Sequence, residues 1–217
     1  MLTHPLGLVA VAFAVTAVPA FLSTKVIGKH LESVEIMGAS LLIGGVAMWI
    51  VDGMSSANEA RGPRGLPGTR IRTWGIDEMS PLQAVWIGGC QFLSAGFPGT
   101  SRSMATIAAG QVAGMSRSSA LEFSFFLSIP TMFAATGYDL LESLRGETAN
   151  PIGVSHIDAH GWIVLAIGFL VAFVVAYISV AWFMAYVRRR GFWPFAVYRI
   201  ALGGLVLLFG ARLSPRL

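Results

Sequence analysis

A chain of 217 residues that is 55% hydrophobic and 12% charged, with a mean hydropathy of +0.69, is too apolar for a soluble domain and belongs in a bilayer. Its net charge of +4 does not make it a nucleic-acid binder, because the basic residues lie between apolar runs and form no single patch. The one cysteine, Cys90, excludes an internal disulfide or a cysteine-held metal cluster and reads as a small buried residue. The histidines are His4, His30, His156 and His160; only the last two are close, in a segment that reads as loop, so all four are expected to be solvated and a zinc site is not indicated.

From the N-terminus, Leu6 to Leu22 is apolar and ends in AVPA, but no Lys or Arg precedes it, so it reads as a retained membrane helix and not a signal peptide. Long apolar runs at 5–24, 34–51, 120–138, 161–187 and 195–211 are each near the roughly 20 residues a helix needs to span a bilayer. The whole of 1–217 reads as one membrane domain, with 52–80 (containing EARGPRGLPGTRIRTW) as a polar extra-membrane loop. Residues 81–114 differ: two short apolar arms flank a polar break at Pro98-Gly99, the pattern of a re-entrant hairpin that lines a polar cavity. With Arg188-Arg-Arg190 taken as cytoplasmic, Arg61, Arg64, Arg70, Arg72 and Arg117 fall on the same side. Lys25, Lys29, Arg145, Arg212 and Arg216 fall on the other, with the Asp139, Glu142, Glu147, Asp158 segment, as the positive-inside rule expects.

The chemistry concentrates in FPGTSRSMAT, 97–106. Pro98-Gly99 stops one arm, Thr100 or Ser101 caps the next, and the free N–H groups of that helix start attract an anion. Arg102 adds a planar fork of donors suited to phosphate, and Ser101, Ser103 and Thr106 add hydroxyls. An arginine at membrane depth costs at least about 2.5 kcal/mol on insertion scales, which favours a functional role. The plainer alternative is a capped helix whose arginine snorkels to the headgroups. Downstream, GMSRSSALEFSFF holds Ser119 and Glu122 at capping-box spacing; Glu122 is either a first-turn acid or an intramembrane counter-ion for Arg102 or for Arg199. Gly110 and Gly114 have the GxxxG spacing of close helix packing.

Three segments, IGGCQFLSAGFPGTSRSMATIAAG, GMSRSSALEFSFFLSIPTM and FWPFAVYR, together resemble the undecaprenyl-diphosphate phosphatase family of the bacitracin-resistance type. The resemblance runs through essentially the whole chain. It implies an all-α integral membrane protein with about five spanning helices plus one re-entrant helical hairpin, resembling the C-terminal two thirds of an inverted-repeat fold. It further implies a multi-pass hydrolase of the bacterial inner (plasma) membrane that converts a lipid diphosphate to the monophosphate carrier used in cell-wall synthesis. By this resemblance Arg102, Ser101 and Ser103 are the catalytic candidates, and Gly99, Thr100, Thr106, Gln91 and Arg199 the substrate-binding ones. Glu122 is the carboxylate candidate, and no metal ligands are assigned. The implied cofactor is a divalent cation, Mg or Ca, and the expected partners are a polyprenyl diphosphate lipid, membrane lipid and a second copy of the chain as a homodimer, with no nucleic acid.

One family element is missing from the pattern. The first repeat of a family member carries Glu-x-x-x-Glu followed by Pro-x-Ser-Ser-x-Gly-His; here Gln91 and Ala95 stand in register with those glutamates and Pro98 with the proline. Met1 falls where about the first third of a family member should have passed, so the N-terminal motif region is expected to be absent. Two readings follow. One is a phosphatase whose N-terminal part is missing or supplied by a second chain, with little or no activity expected of these residues alone. The other is a non-catalytic membrane protein that binds or translocates a polyprenyl phosphate lipid. The acid-phosphatase-like lipid phosphatases are excluded, because no His-x-x-x-Asp follows Arg102 or Arg117.

Overall fold

The computed structural model describes residues 4–27, 33–59, 71–145 and 159–213. They form α1 (Pro5–Ile27), α2 (Val34–Glu59), α3 (Pro81–Gly96), α4 (Arg102–Val112), α5 (Arg117–Arg145), α6 (Ala159–Arg190) and α7 (Trp193–Leu213), with a 3₁₀ turn at Ile76–Glu78. No strand occurs among the described residues, only an isolated bridge between Thr73 and Met115. Helices α1, α2, α5, α6 and α7 are long and apolar enough to cross a membrane, matching the five apolar runs. The arms α3 and α4 have 16 and 11 residues. At ~1.5 Å per residue neither reaches across a hydrocarbon core of about 30 Å, so this pair has the half-length geometry the break at Pro98-Gly99 predicts.

The chain divides into two compact units, Met1–Thr131 with Arg190–Leu217, and Met132–Arg189. In the first, α2 packs on α7, α1 on α3, and α4 on both α3 and α2. Small residues let these backbones meet, as expected where lipid supplies no hydrophobic drive between helices. A Cβ on Gly88 would collide with the Ala12 backbone, and Thr16 Oγ1 donates to the Gly88 carbonyl at 2.7 Å. Between α2 and α7, a Cβ on Gly45 would lie 3.0 Å from the Ala196 carbonyl and one on Gly203 2.7 Å from the Leu42 nitrogen. In the second unit, the most apolar stretch of α6 has a mean hydropathy of 2.8 and none of it is buried, the pattern of a lipid-facing helix. Trp182 and Tyr186 stack there at 5.3 Å between ring centroids.

Several boundaries differ from the sequence reading. Helix α2 continues through Asp52 to Glu59, because Asp52, Ser56 and Glu59 lie on one helical face and find partners. Arg117 Nε donates to Asp52 Oδ1 at 2.9 Å, its backbone N–H to Glu59 Oε1 at 2.7 Å, and Nη2 to Ser56 Oγ. The Phe192 N–H reaches Asp52 Oδ2 at 3.0 Å. This cluster gathers the end of α2, the start of α5 and the turn before α7 at one end of the first unit. Arg61, Arg64, Arg70, Lys29, His30, Glu147, His156, Asp158 and Arg216 lie outside the described residues.

Helix α5 begins one turn earlier than the proposed Ser119–Glu122 box: Ser116 Oγ accepts from the Ser119 N–H at 3.2 Å, so the cap is Ser116. Of the GxxxG pair, Gly110 packs on Ala120, but Gly114, at φ 86, terminates α4. Its N–H bonds Gln111 O and that of Met115 bonds Gly110 O, the paired closure of a Schellman motif. Cys90 is half-buried, His4 sits at the start of α1, and His160 is an exposed residue in the first turn of α6.

Candidate functional site

The hairpin tip is built by local rules. Pro81 at the first position and a Ser80–Gln83 capping box start α3. The chain reverses through Phe97-Pro98-Gly99-Thr100, closed by Thr100 N–H to Phe97 O at 3.1 Å. Proline second and a glycine at φ 87 third is the residue order of a type II turn. No side chain fits at Gly99: a Cβ there would lie 2.7 Å from the Met37 carbonyl, with the backbone already left-handed. Ser101 then caps α4, its Oγ accepting the Met104 N–H at 3.4 Å.

This leaves the N–H groups of Arg102 and Ser103 without an acceptor among the described residues. Arg102 is half-buried and Ser103 exposed, and no described carboxylate pairs with Arg102. The first turn of α4 therefore carries free amides, a dipole end, a guanidinium and a hydroxyl, a donor set suited to an anion with several oxygens.

The other candidates have different roles. Thr106 is 2% exposed and its Oγ1 lies 2.7 Å from Ser124 Oγ, joining α4 to α5 behind the tip. Gln91, equally buried, donates from Nε2 to Thr131 Oγ1 at 3.3 Å, while its Oε1 has no partner among the described residues. Arg199 reaches from α7 to donate from Nη2 to the Gly99 carbonyl at 2.9 Å. Glu122 is half-buried on α5 and makes no ion pair among the described residues; Asp52 and Glu59 both serve Arg117. Sequence reasoning passed over Asp52, whose signal was its i, i+4, i+7 spacing to Ser56 and Glu59.

A hollow of about 610 Å³ lies at the opposite, base end of the hairpin, lined by Arg72, Thr73, Glu78, Gln83 and Trp86 among others, and contains none of the tip residues. The chemistry, not the volume, marks the tip as the site. Among the described residues no three of His, Cys, Asp and Glu gather, and Glu122 alone is a poor hard-cation cage, so no metal ligands are assigned to them.

The family described as "Bacitracin resistance protein BacA" has a model that matches residues 3–205. The chain belongs to the BacA family. It is 61% identical over 213 residues to the undecaprenyl-diphosphatase of Koribacter versatilis, covering 97% of this chain and 70% of that relative. The undecaprenyl-diphosphatase of Thermus thermophilus is 38% identical over 205 residues, 94% of this chain and 70% of its own length. That of Caldanaerobacter subterraneus subsp. tengcongensis is 34% identical over 202 residues, 93% of this chain and 66% of its own length. As a BacA-family member, the chain places FPGTSRSMAT in a helical hairpin, at the turn and first residues of its second arm.

Proposed function

We propose that the chain is an undecaprenyl-diphosphatase, a multi-pass membrane hydrolase that removes the terminal phosphate of undecaprenyl diphosphate and leaves the monophosphate lipid. The observation that carries the site assignment is Arg102 in the first turn of α4 beside two free amides, in a family whose named relatives are undecaprenyl-diphosphatases. In the reaction the oxygen of water bonds to the terminal phosphorus and the bridging P–O bond breaks, giving the lipid monophosphate and inorganic phosphate with release of a proton. Arg102 and the α4 N-terminus stabilise charge on the transferred phosphoryl oxygens, a role of positioning and electrostatics. Ser101 fixes the helix start and Ser103 offers a hydroxyl at its surface. No carboxylate cage forms among the described residues. Turnover is proposed to depend on magnesium or calcium, so that chelation abolishes it and re-addition restores it.

The proposed location is the bacterial plasma membrane, supported by the five spanning helices. A homodimer is the proposed assembly, which native mass spectrometry in detergent checks; a monomer throughout removes it. The deciding experiment is phosphate release from undecaprenyl diphosphate in detergent, comparing this chain with Arg102→Ala. Release that depends on Arg102 supports the enzyme. Lipid binding that depends on Arg102 without release instead favours the non-catalytic reading.

A further inference from the structure

We infer that Arg199 is a positioning residue for the tip and that Gly44 is the slot through which it reaches, an assignment that rests on the phosphatase reading. Arg199 lies on α7, and its Nη2 donates to the Gly99 carbonyl at 2.9 Å. Its route passes α2 at Gly44, where a Cβ would stand 3.0 Å from Arg199 Nη2 and 2.8 Å from Met104 Cε. One guanidinium thus meets α2 and the turn together, and the Met104 side chain of α4 faces the same glycine. The arrangement is not the cheapest way to close a turn: Arg199 Nε is buried with no partner among the described residues, an uncompensated donor. What it achieves is electrostatic. A carbonyl oxygen at the tip would repel a phosphate, and Arg199 both holds that oxygen and offsets its partial charge, leaving the α4 amides to face the anion unopposed.

Gly44 makes the role separable from direct substrate contact. Alanine there meets only the flexible ends of Arg199 and Met104, so it displaces the guanidinium without prising backbones apart. Gly204, whose Cβ would meet nothing within 4 Å, supplies the control on α7.

The test uses the full chain in detergent with undecaprenyl diphosphate, and reads kcat, KM and deuterium uptake of peptides over 97–104. Arg199→Gln and Gly44→Ala are each expected to raise uptake at 97–104 without changing that of α5. They should lower kcat by about 100-fold, the scale of a small misplacement of a binding group, with KM little moved. Arg199→Lys is expected to recover part of kcat. The Arg199→Gln/Gly44→Ala double variant should be no worse than its more severe parent, because both cut one link. Gly204→Ala should match the parent chain. Unchanged uptake in both single variants overturns the brace, whether or not the protein turns over. A raised KM with kcat retained makes Arg199 a substrate ligand and overturns the positioning role. Absence of Arg102-dependent release in the parent chain overturns the phosphatase reading alone, and deuterium uptake then still decides the brace.

Discussion

In the proposed reaction Arg102 and Ser101 are neighbours with separable contributions, one to chemistry and one to the backbone that presents it. Arg102→Ala is expected to abolish phosphate release while leaving the thermal unfolding midpoint in detergent near the parent value, since no described side chain depends on its guanidinium. Arg102→Lys should recover little, because an ammonium is a point charge and cannot span two phosphate oxygens as a planar fork does. Ser101→Ala removes a cap worth about 1 kcal/mol, and should lower the midpoint slightly with a partial loss of rate. At this scale the sequence was informative wherever the cause is local. The turn at Pro98-Gly99 and the cap at Ser101 follow from residue chemistry within a few positions. The hydroxyl of Thr106, by contrast, turns toward Ser124 on another helix, and no spacing within FPGTSRSMAT announces that.

Among the elements, α2 is the one most changed by tertiary partners. Its apolar run stops at Val51, yet the helix proceeds to Glu59 because Arg117 pairs with the acids on its face. The Asp52 and Arg117 side chains are 5% and 12% exposed and paired at 2.8 Å, so Asp52→Ala strands the Phe192 N–H and leaves Arg117 with Glu59, at 3.7 Å, as its acid partner. A loss of about 1–3 kcal/mol is expected, checked by thermal or denaturant unfolding in detergent. Adjacent glycines on the same helix should behave oppositely. Gly45→Ala forces a methyl against the backbone of α7 and should destabilise by about 1–3 kcal/mol, whereas Gly44→Ala meets only flexible side-chain ends and should leave stability nearly unchanged. A glycine count cannot distinguish the two positions; only the atoms facing each one do.

For the whole molecule, the five spanning runs were legible because the bilayer imposes one length on every helix that crosses it, whatever its neighbours. Which helices touch was not legible, since lipid-facing and helix-facing surfaces are equally apolar and the hydrophobic pattern carries no inside-out signal. The end-sharing of Arg117 with the Gly191–Phe192 turn yields a topological prediction. Single cysteines placed at Arg72 and Arg189 in a Cys90→Ala background should be labelled from the same face of inverted vesicles by a membrane-impermeant maleimide. Labelling from opposite faces would discard the proposed orientation.

The short strap before α3 docks on the far end of the hairpin: the Gly114 carbonyl accepts the Arg72 and Thr73 N–H groups, and Ser116 donates its own N–H to Thr73 O at 2.8 Å. Both arms and the tip are therefore enclosed in a ring of chain whose entrance and exit coincide. The hairpin is thus a closed loop of chain that begins and ends at one backbone ladder at Thr73, far along the chain from Arg102.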